Sequence, residues 1–277
     1  MTLVGRMRYR NALLCLAALL LTNAMIGPAG ADILAYPLPT SLLNQLRGLE
    51  LVTVCLVVPA LLVAAGLAHR GRAEAALLAM GPCAYASYMF VQYVVGPSYQ
   101  HYPAVLLFHL ALFILGGVVA VWAWSTLRPE HLPPMTDRTR RVRAGVLLGL
   151  AAFVVMRYLP AIIGSVSDEQ LTEEFRTEPA FFWTILLMDL GIVVPSAIAA
   201  AVALRLGAAV ASKAMFAVVG WFGLVPPSVA VMGITMVAND DPHASTPATV
   251  LFVAAAVFAG FALRVFRPLL AEEAHSL

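Results

Sequence analysis

Residues 49–68 read LELVTVCLVVPALLVAAGLA, and residues 180–204 read AFFWTILLMDLGIVVPSAIAAAVAL. Each run is long enough to cross hydrocarbon as one helix, which takes about 17–25 residues. Each also carries one acid, Glu50 or Asp189, upstream of a Val-Val-Pro triplet. An open strand with this composition would leave backbone N–H and C=O groups unpaired in lipid, so a helix is the state expected. Working outward, six further runs have the same character, and the eight spans expected are Asn11–Ile26, Leu49–Ala68, Ala73–Gly96, Ala104–Trp124, Ala144–Gly164, Ala180–Leu204, Ala214–Val237 and Thr249–Phe266. The fold class predicted is an all-α polytopic transmembrane helical bundle, with residues 1–277 forming a single integral membrane domain.

Composition points the same way. The chain is 61% hydrophobic and 12% charged, against roughly 25% charged in a soluble domain. A water-soluble globule so poor in charge would expose large apolar patches. Cys15, Cys55 and Cys83 each lie inside an apolar run, with neither a Cys-x-x-Cys pair nor a nearby histidine pair, so they read as packing residues rather than as a disulfide or zinc framework.

The basic residues alternate. Arg6, Arg8, Arg10, Arg70, Arg72, Arg128, Arg138, Arg140, Arg141, Arg143, Arg205, Lys213, Arg264 and Arg267 fall at one set of span ends. Arg47 and Arg176 fall at the other, with Asp32, Asp168, Glu169, Glu173, Glu174, Glu178, Asp240 and Asp241. The positive-inside rule makes the first set cytoplasmic, which predicts an inner (plasma) membrane protein with both termini inside. Arg6 to Arg10, the apolar run and Ala29-Gly30-Ala31 also have the layout of a cleavable secretory signal; cleavage would leave seven spans, retention eight.

The second and sixth spans agree in detail. Val57-Val58-Pro59, Ala64-Ala65 and Gly71 recur at the same offsets as Val193-Val194-Pro195, Ala200-Ala201 and Gly207, while Glu50-Leu51 and Asp189-Leu190 are displaced by three residues. Gly81-Pro82 in the third span and Gly220 with Pro226-Pro227 in the seventh extend the likeness. Two parallel four-helix repeats, residues 1–128 and 140–277, are one reading; chance recurrence of residues common in membrane helices is the other.

Counting about 1.5 Å per residue places the buried polar groups. Arg157 falls roughly 10 Å and Asp189 roughly 13 Å below the outer ends of their spans. Charges at such depths pair or face a wet cavity, so an Arg157–Asp189 ion pair is expected, serving as a clamp or as a ligand site. Tyr85, Tyr88 and Gln92 share one face of the third span, and with Glu50 at the outer rim and His109 in the fourth span they complete the candidate lining of an outer cavity. Tyr99 and Tyr102 fit an interfacial aromatic belt.

The stretch from Arg47 to Leu112 resembles a family of uncharacterised prokaryotic multi-spanning membrane proteins. The likeness rests on Arg47-Gly48, Glu50-Leu51, Pro59, Arg70-Gly71 and the series Tyr85, Tyr88, Phe90, Tyr93, Gly96, with the Asp-Leu and Val-Val-Pro of the sixth span. Glu50 stands where the family pattern has Asp, and His109 where it has Tyr. The resemblance implies a membrane fold and supports the third-span face; it carries no activity.

No catalytic residue, metal site or cofactor is predicted. The chain lacks a phosphate-binding Gly-rich loop ending in Lys-Ser/Thr, a His-x-x-x-His pair and a Gly-x-Ser-x-Gly elbow, and no lysine falls inside a span. Asn239-Asp240-Asp241-Pro242-His243 reads as a polar turn rather than a cation site. The leading expectation is transport or permeation of a small solute or lipid through a polar cavity open to the outer side. An intramembrane enzyme on a lipid-phase substrate and a sensor or assembly factor without chemistry are the alternatives. The partners implied are the lipid bilayer and a small-molecule or lipid ligand, with nothing pointing to nucleic acid.

Overall fold

The computed structural model describes residues 2–97, 104–166, 176–244 and 248–271; Tyr99, Tyr102, Asp168, Glu169, Glu173 and Glu174 lie outside them. Eight long helices carry the fold of the described residues, with a 3-10 turn at Pro129–His131 between the fourth and fifth: α1 Leu3–Ile26, α2 Thr40–His69, α3 Glu74–Val95, α4 Ala104–Thr126, α5 Asp137–Val166, α6 Pro179–Leu206, α7 Ala211–Ala238 and α8 Ala248–Ala271. Six of them (all but α3 and α8) are long and apolar enough to cross a membrane. Their outer faces would not tolerate water: α4 alone exposes Leu107, Ile114, Val118, Val121 and Trp124. The molecule is a membrane-embedded all-α bundle.

Burial explains why α3 is the least apolar of the central helices. Fifteen of its 22 residues are buried, so protein rather than lipid surrounds it and its tyrosines find partners. On α4, by contrast, the buried residues Leu106, His109, Leu112, Gly116, Val119 and Ala123 form one stripe at i+3/i+4 spacing against α3. α1 packs on α2 and α4 and fills the core with Leu13, Leu16 and Leu20.

Several helices outrun the predicted spans. α2 begins nine residues before Leu49, and α5 begins at Asp137 rather than Ala144. Hydropathy marks the hydrocarbon crossing, whereas a helix continues into the interface as long as its backbone bonds and packing hold. The seventh span departs differently. α7 is interrupted at Gly223-Leu224 and restarts with Pro226 and Pro227 in its first turn, because proline supplies no N–H to the preceding turn but suits the first turn of a new helix.

α2 and α6 meet the same problem with one device. Pro59 and Pro195 would each collide with the carbonyl four residues back, and in both helices the turn just upstream widens to a π-helix, Thr53–Val57 and Asp189–Val193. The N–H of Val58 reaches Thr53 O, and that of Val194 reaches Asp189 O. Both helices then stop at a glycine in the left-handed region, Gly71 at φ 74° and Gly207 at φ 66°, where a residue with a side chain would be strained. Thr53 to Asp189 and Gly71 to Gly207 are the same step of 136 residues.

The halves meet where α3 crosses α7. A Cβ built on Gly81 would lie 2.7 Å from the Gly220 carbonyl carbon, and one on Gly220 would lie 3.1 Å from Gly81 Cα. Alongside, the first part of α2 lies on the second part of α7, where a Cβ on Gly48 would come within 2.6 Å of Met232 Cα. Glycine permits such approaches between membrane helices. These two contacts set the walls of the cavity described next.

Candidate functional site

A cavity of about 120 Å³ opens at the end of the bundle where α2 and α6 begin and α3 and α5 finish. Its wall includes Gln45 and Leu49 of α2, Tyr88 and Gln92 of α3, Arg157 and Tyr158 of α5, Phe181 and Asp189 of α6, and Val225 and Val229 of the second part of α7. The volume suits several waters or one small solute, well below the 300–1,000 Å³ typical of drug-sized ligands.

Asp189 is the centre of this site. It is 6% exposed, and both carboxylate oxygens are engaged: Tyr88 donates its hydroxyl to Oδ1 at 2.5 Å and Tyr158 to Oδ2 at 2.6 Å. Distances in this range belong to charge-assisted O–H···O⁻ bonds. Asp189 also opens the π turn of α6, a feature that recurs at functional sites. Trp221 packs edge-on against the Tyr88 ring at 5.0 Å between centroids.

The expected Arg157–Asp189 ion pair is not formed; among the described residues the ion pairs are Arg72–Glu74 and Arg140–Asp137. Arg157 is exposed, its guanidinium carbon 5.6 Å from the Tyr158 ring centroid, on the wall of the same cavity. Both residues line the one cavity, but they leave their helices in different directions. Neighbouring residues on a helix point about 100° apart, so only one of Arg157 and Tyr158 can face α6. Ala144, Leu147, Ala151 and Val154 are buried at i+3/i+4 steps, and Tyr158 continues that stripe. The stripe is the signal by which sequence reading could have found Tyr158.

The other candidates separate. Tyr88 and Gln92 face the cavity. Tyr85 shares their helix face but turns to α7, where its hydroxyl lies 3.1 Å from Ser228 Oγ, and it is 1% exposed. Glu50 and His109 belong to a second buried cluster. Glu50, expected at the rim, is 2% exposed; it accepts the Ala29 N–H at 2.8 Å and faces Asn23 Nδ2 at 3.5 Å, tying down the turn after α1. His109 Nε2 lies 3.1 Å from Asn23 Oδ1 and 3.3 Å from the Tyr36 hydroxyl. Asn23 Oδ1 can only accept, so that contact places the proton on Nε2 and leaves Nδ1, buried and unpartnered, as the acceptor. Tyr36, Phe90, Tyr93 and Phe108 wrap the imidazole.

The Asn239–His243 segment is a turn: Asp241 accepts from Asn44 Nδ2 at 2.9 Å and from the His243 N–H at 3.0 Å. Burial alone would raise the Asp241 carboxyl, but those donors outweigh it and hold the group below the usual carboxylate range. The described residues contain no group of three metal-ligating acids, histidines and cysteines. Cys15 and Cys55 are exposed and Cys83 is buried, all free. No family model, curated protein or solved structure matches the chain, so the resemblance noted above stands on its residues alone.

Proposed function

We propose that the chain is a carrier for a small polar solute in the inner (plasma) membrane, that the end bearing the arginines and both termini is cytoplasmic, and that the solute binds from outside at Asp189. The observation that supports this most is a carboxylate in an open cavity, held by two phenols at a π turn, at the junction of the two halves. Carriers commonly bind substrate near mid-membrane beside discontinuous helices. α7 supplies such a break, and the first turn of its restarted part reaches the cavity through Val225. An ionisable group at this depth is itself a pointer to a solute or proton path. The seven-residue polar share of the wall, Gln45, Tyr88, Gln92, Arg157, Tyr158, Glu178 and Asp189, suits a solute that presents hydrogen-bond donors.

Two measurements test this reading. Reporter fusions after Arg138 and Arg267 are expected to report cytoplasm, and a fusion after Asp241 the outside; an externally accessible Arg138 inverts the orientation and removes the outward cavity. In a background without the native cysteines, Gln92→Cys should react with a membrane-impermeant maleimide in whole cells and, more slowly, in inverted vesicles. Tyr85→Cys should react in neither. Labelling of Gln92→Cys from one face only would exclude alternating access and leave a receptor-like pocket.

A further inference from the structure

We propose a second binding site, at the opposite, basic end of the bundle, that takes the phosphate of an anionic ligand. A cavity of about 520 Å³ lies between the start of α1, the α2–α3 turn and the end of α4, within the range of ligand pockets. Arg6, Arg72 and Arg128 line it, together with Tyr9. Tyr9 is 1% exposed and its hydroxyl has no hydrogen-bond partner; Arg6 Nε is also buried and unpartnered. Buried donors left without acceptors are rare in folded proteins. Here two of them line one basic cavity, and a phosphate oxygen would satisfy both.

The other half of the molecule provides the comparison. Moving α1 along by 134 residues lays the buried Leu13, Leu16, Ala17, Leu20 and Ala24 on the buried Leu147, Leu150, Ala151, Val154 and Tyr158. The same shift lays Arg6 on Arg140. Each arginine sits over the left-handed glycine that ends the next helix, Arg6 over Gly71 and Arg140 over Gly207. Arg140, however, has its own counter-ion, Asp137, three residues earlier. The position three before Arg6 is Leu3, and the first turn of α1 holds no acid. Glu74, next to Ala73 and Ala75 of the basic cavity, is engaged by Arg72 at 2.9 Å. One arginine is therefore neutralised from within the chain, while its counterpart faces a cavity with an idle phenol and a surplus of positive charge. Arginine pairs with phosphate oxygens through its planar fork of donors.

A phosphate can come from two sources. Basic pockets between helices at the cytoplasmic face hold anionic lipid headgroups, and a soluble phosphate compound offers the same oxygens. The test uses the full-length protein purified in detergent. Its thermal unfolding is followed with phosphatidylglycerol, with phosphatidylcholine, with inorganic pyrophosphate, or with chloride at equal ionic strength, and retained lipid is counted by native mass spectrometry. Phosphatidylglycerol or pyrophosphate should raise the midpoint above the phosphatidylcholine and chloride controls. Protection by phosphatidylglycerol, with retained lipid, assigns the phosphate to a lipid, and protection by pyrophosphate alone assigns it to a soluble compound. Arg6→Gln and Tyr9→Phe should each weaken the protecting interaction, by about tenfold for the arginine, and Arg140→Gln should leave it unchanged. Tyr9→Phe keeps the ring on Trp122, so its loss of response reports the hydroxyl rather than packing. If neither phosphate source protects beyond the controls, or if Arg6→Gln and Arg140→Gln behave alike, the site does not exist.

Discussion

The double variant Tyr88→Phe/Tyr158→Phe should lose about 3 kcal/mol or more of stability, more than Asp189→Asn loses alone. Asp189 is 6% exposed and receives its two short hydrogen bonds from these phenols. Removing both leaves a buried carboxylate with only cavity water. Each bond to a charged group is worth about 1.5–3 kcal/mol, so each single Tyr→Phe change should cost roughly half as much as the pair. Asp189→Asn keeps an acceptor for one phenol and removes the charge, so it should be milder. Adding Asp189→Leu to the double variant should restore part of the stability, because an apolar trio strands no polar group. Arg157→Gln should fall within about 0.5 kcal/mol of the parent, and combining it with Asp189→Asn should be additive. Thermal unfolding of the detergent-purified protein reads all of these. A Tyr88→Phe/Tyr158→Phe protein that melts with the parent would mean the phenols do not hold the carboxylate.

Gly81→Ala should destabilise by about 2–3 kcal/mol and Gly81→Leu should abolish folded yield. The added Cβ would lie 2.7 Å from the Gly220 carbonyl carbon and 2.9 Å from its Cα and O. Backbone cannot rotate out of the way as a side chain can, so α3 and α7 must part, and the cavity wall moves with them. Gly220→Ala should be milder, since its nearest contact would be 3.1 Å. The control is Gly149→Ala on α5, where nothing lies within 4 Å of a built Cβ. There the better helix propensity of alanine acts alone, and the change should be neutral or stabilising by up to about 1 kcal/mol. An equal effect of alanine at 81 and at 149 would remove the close crossing from the account of the fold.

How far the site was legible varies residue by residue. Asp189, Tyr88 and Gln92 share the cavity wall and are legible in the sequence, because a polar group in an apolar run is conspicuous and because i, i+4 spacing puts Tyr88 and Gln92 on one face. Tyr158 is masked in the sequence by the neighbouring charge of Arg157, and only its burial on the helix stripe singles it out. Glu50 and His109 lie in a buried cluster apart from the cavity, because depth along a helix says nothing about which neighbour lies opposite. Glu50 turned out to hold the turn at Ala29, and His109 to face Asn23 and Tyr36. Neither the α1–α2 turn nor the ring cage around His109 has a local signature, since Glu50 reaches 21 and 27 positions back to hold the turn and Tyr36 lies 73 positions before His109.

By itself the sequence determined that this chain is a helical membrane bundle, that eight apolar runs become its eight helices, which ends are basic, and that Pro59 and Pro195 stand in like surroundings; six of those helices, not eight, are long and apolar enough to cross a membrane. Those properties are sums or repeats along the chain, and lipid enforces them without reference to any neighbour. The tertiary structure alone decided that the prolines are met by π turns, that α7 breaks, that Gly81 and Gly220 touch, and that the inward residue of the Arg157–Tyr158 pair is the tyrosine. Each of these depends on rotation about a helix axis, at about 100° per residue, and that rotation is set by the side chains that arrive on the opposing helix.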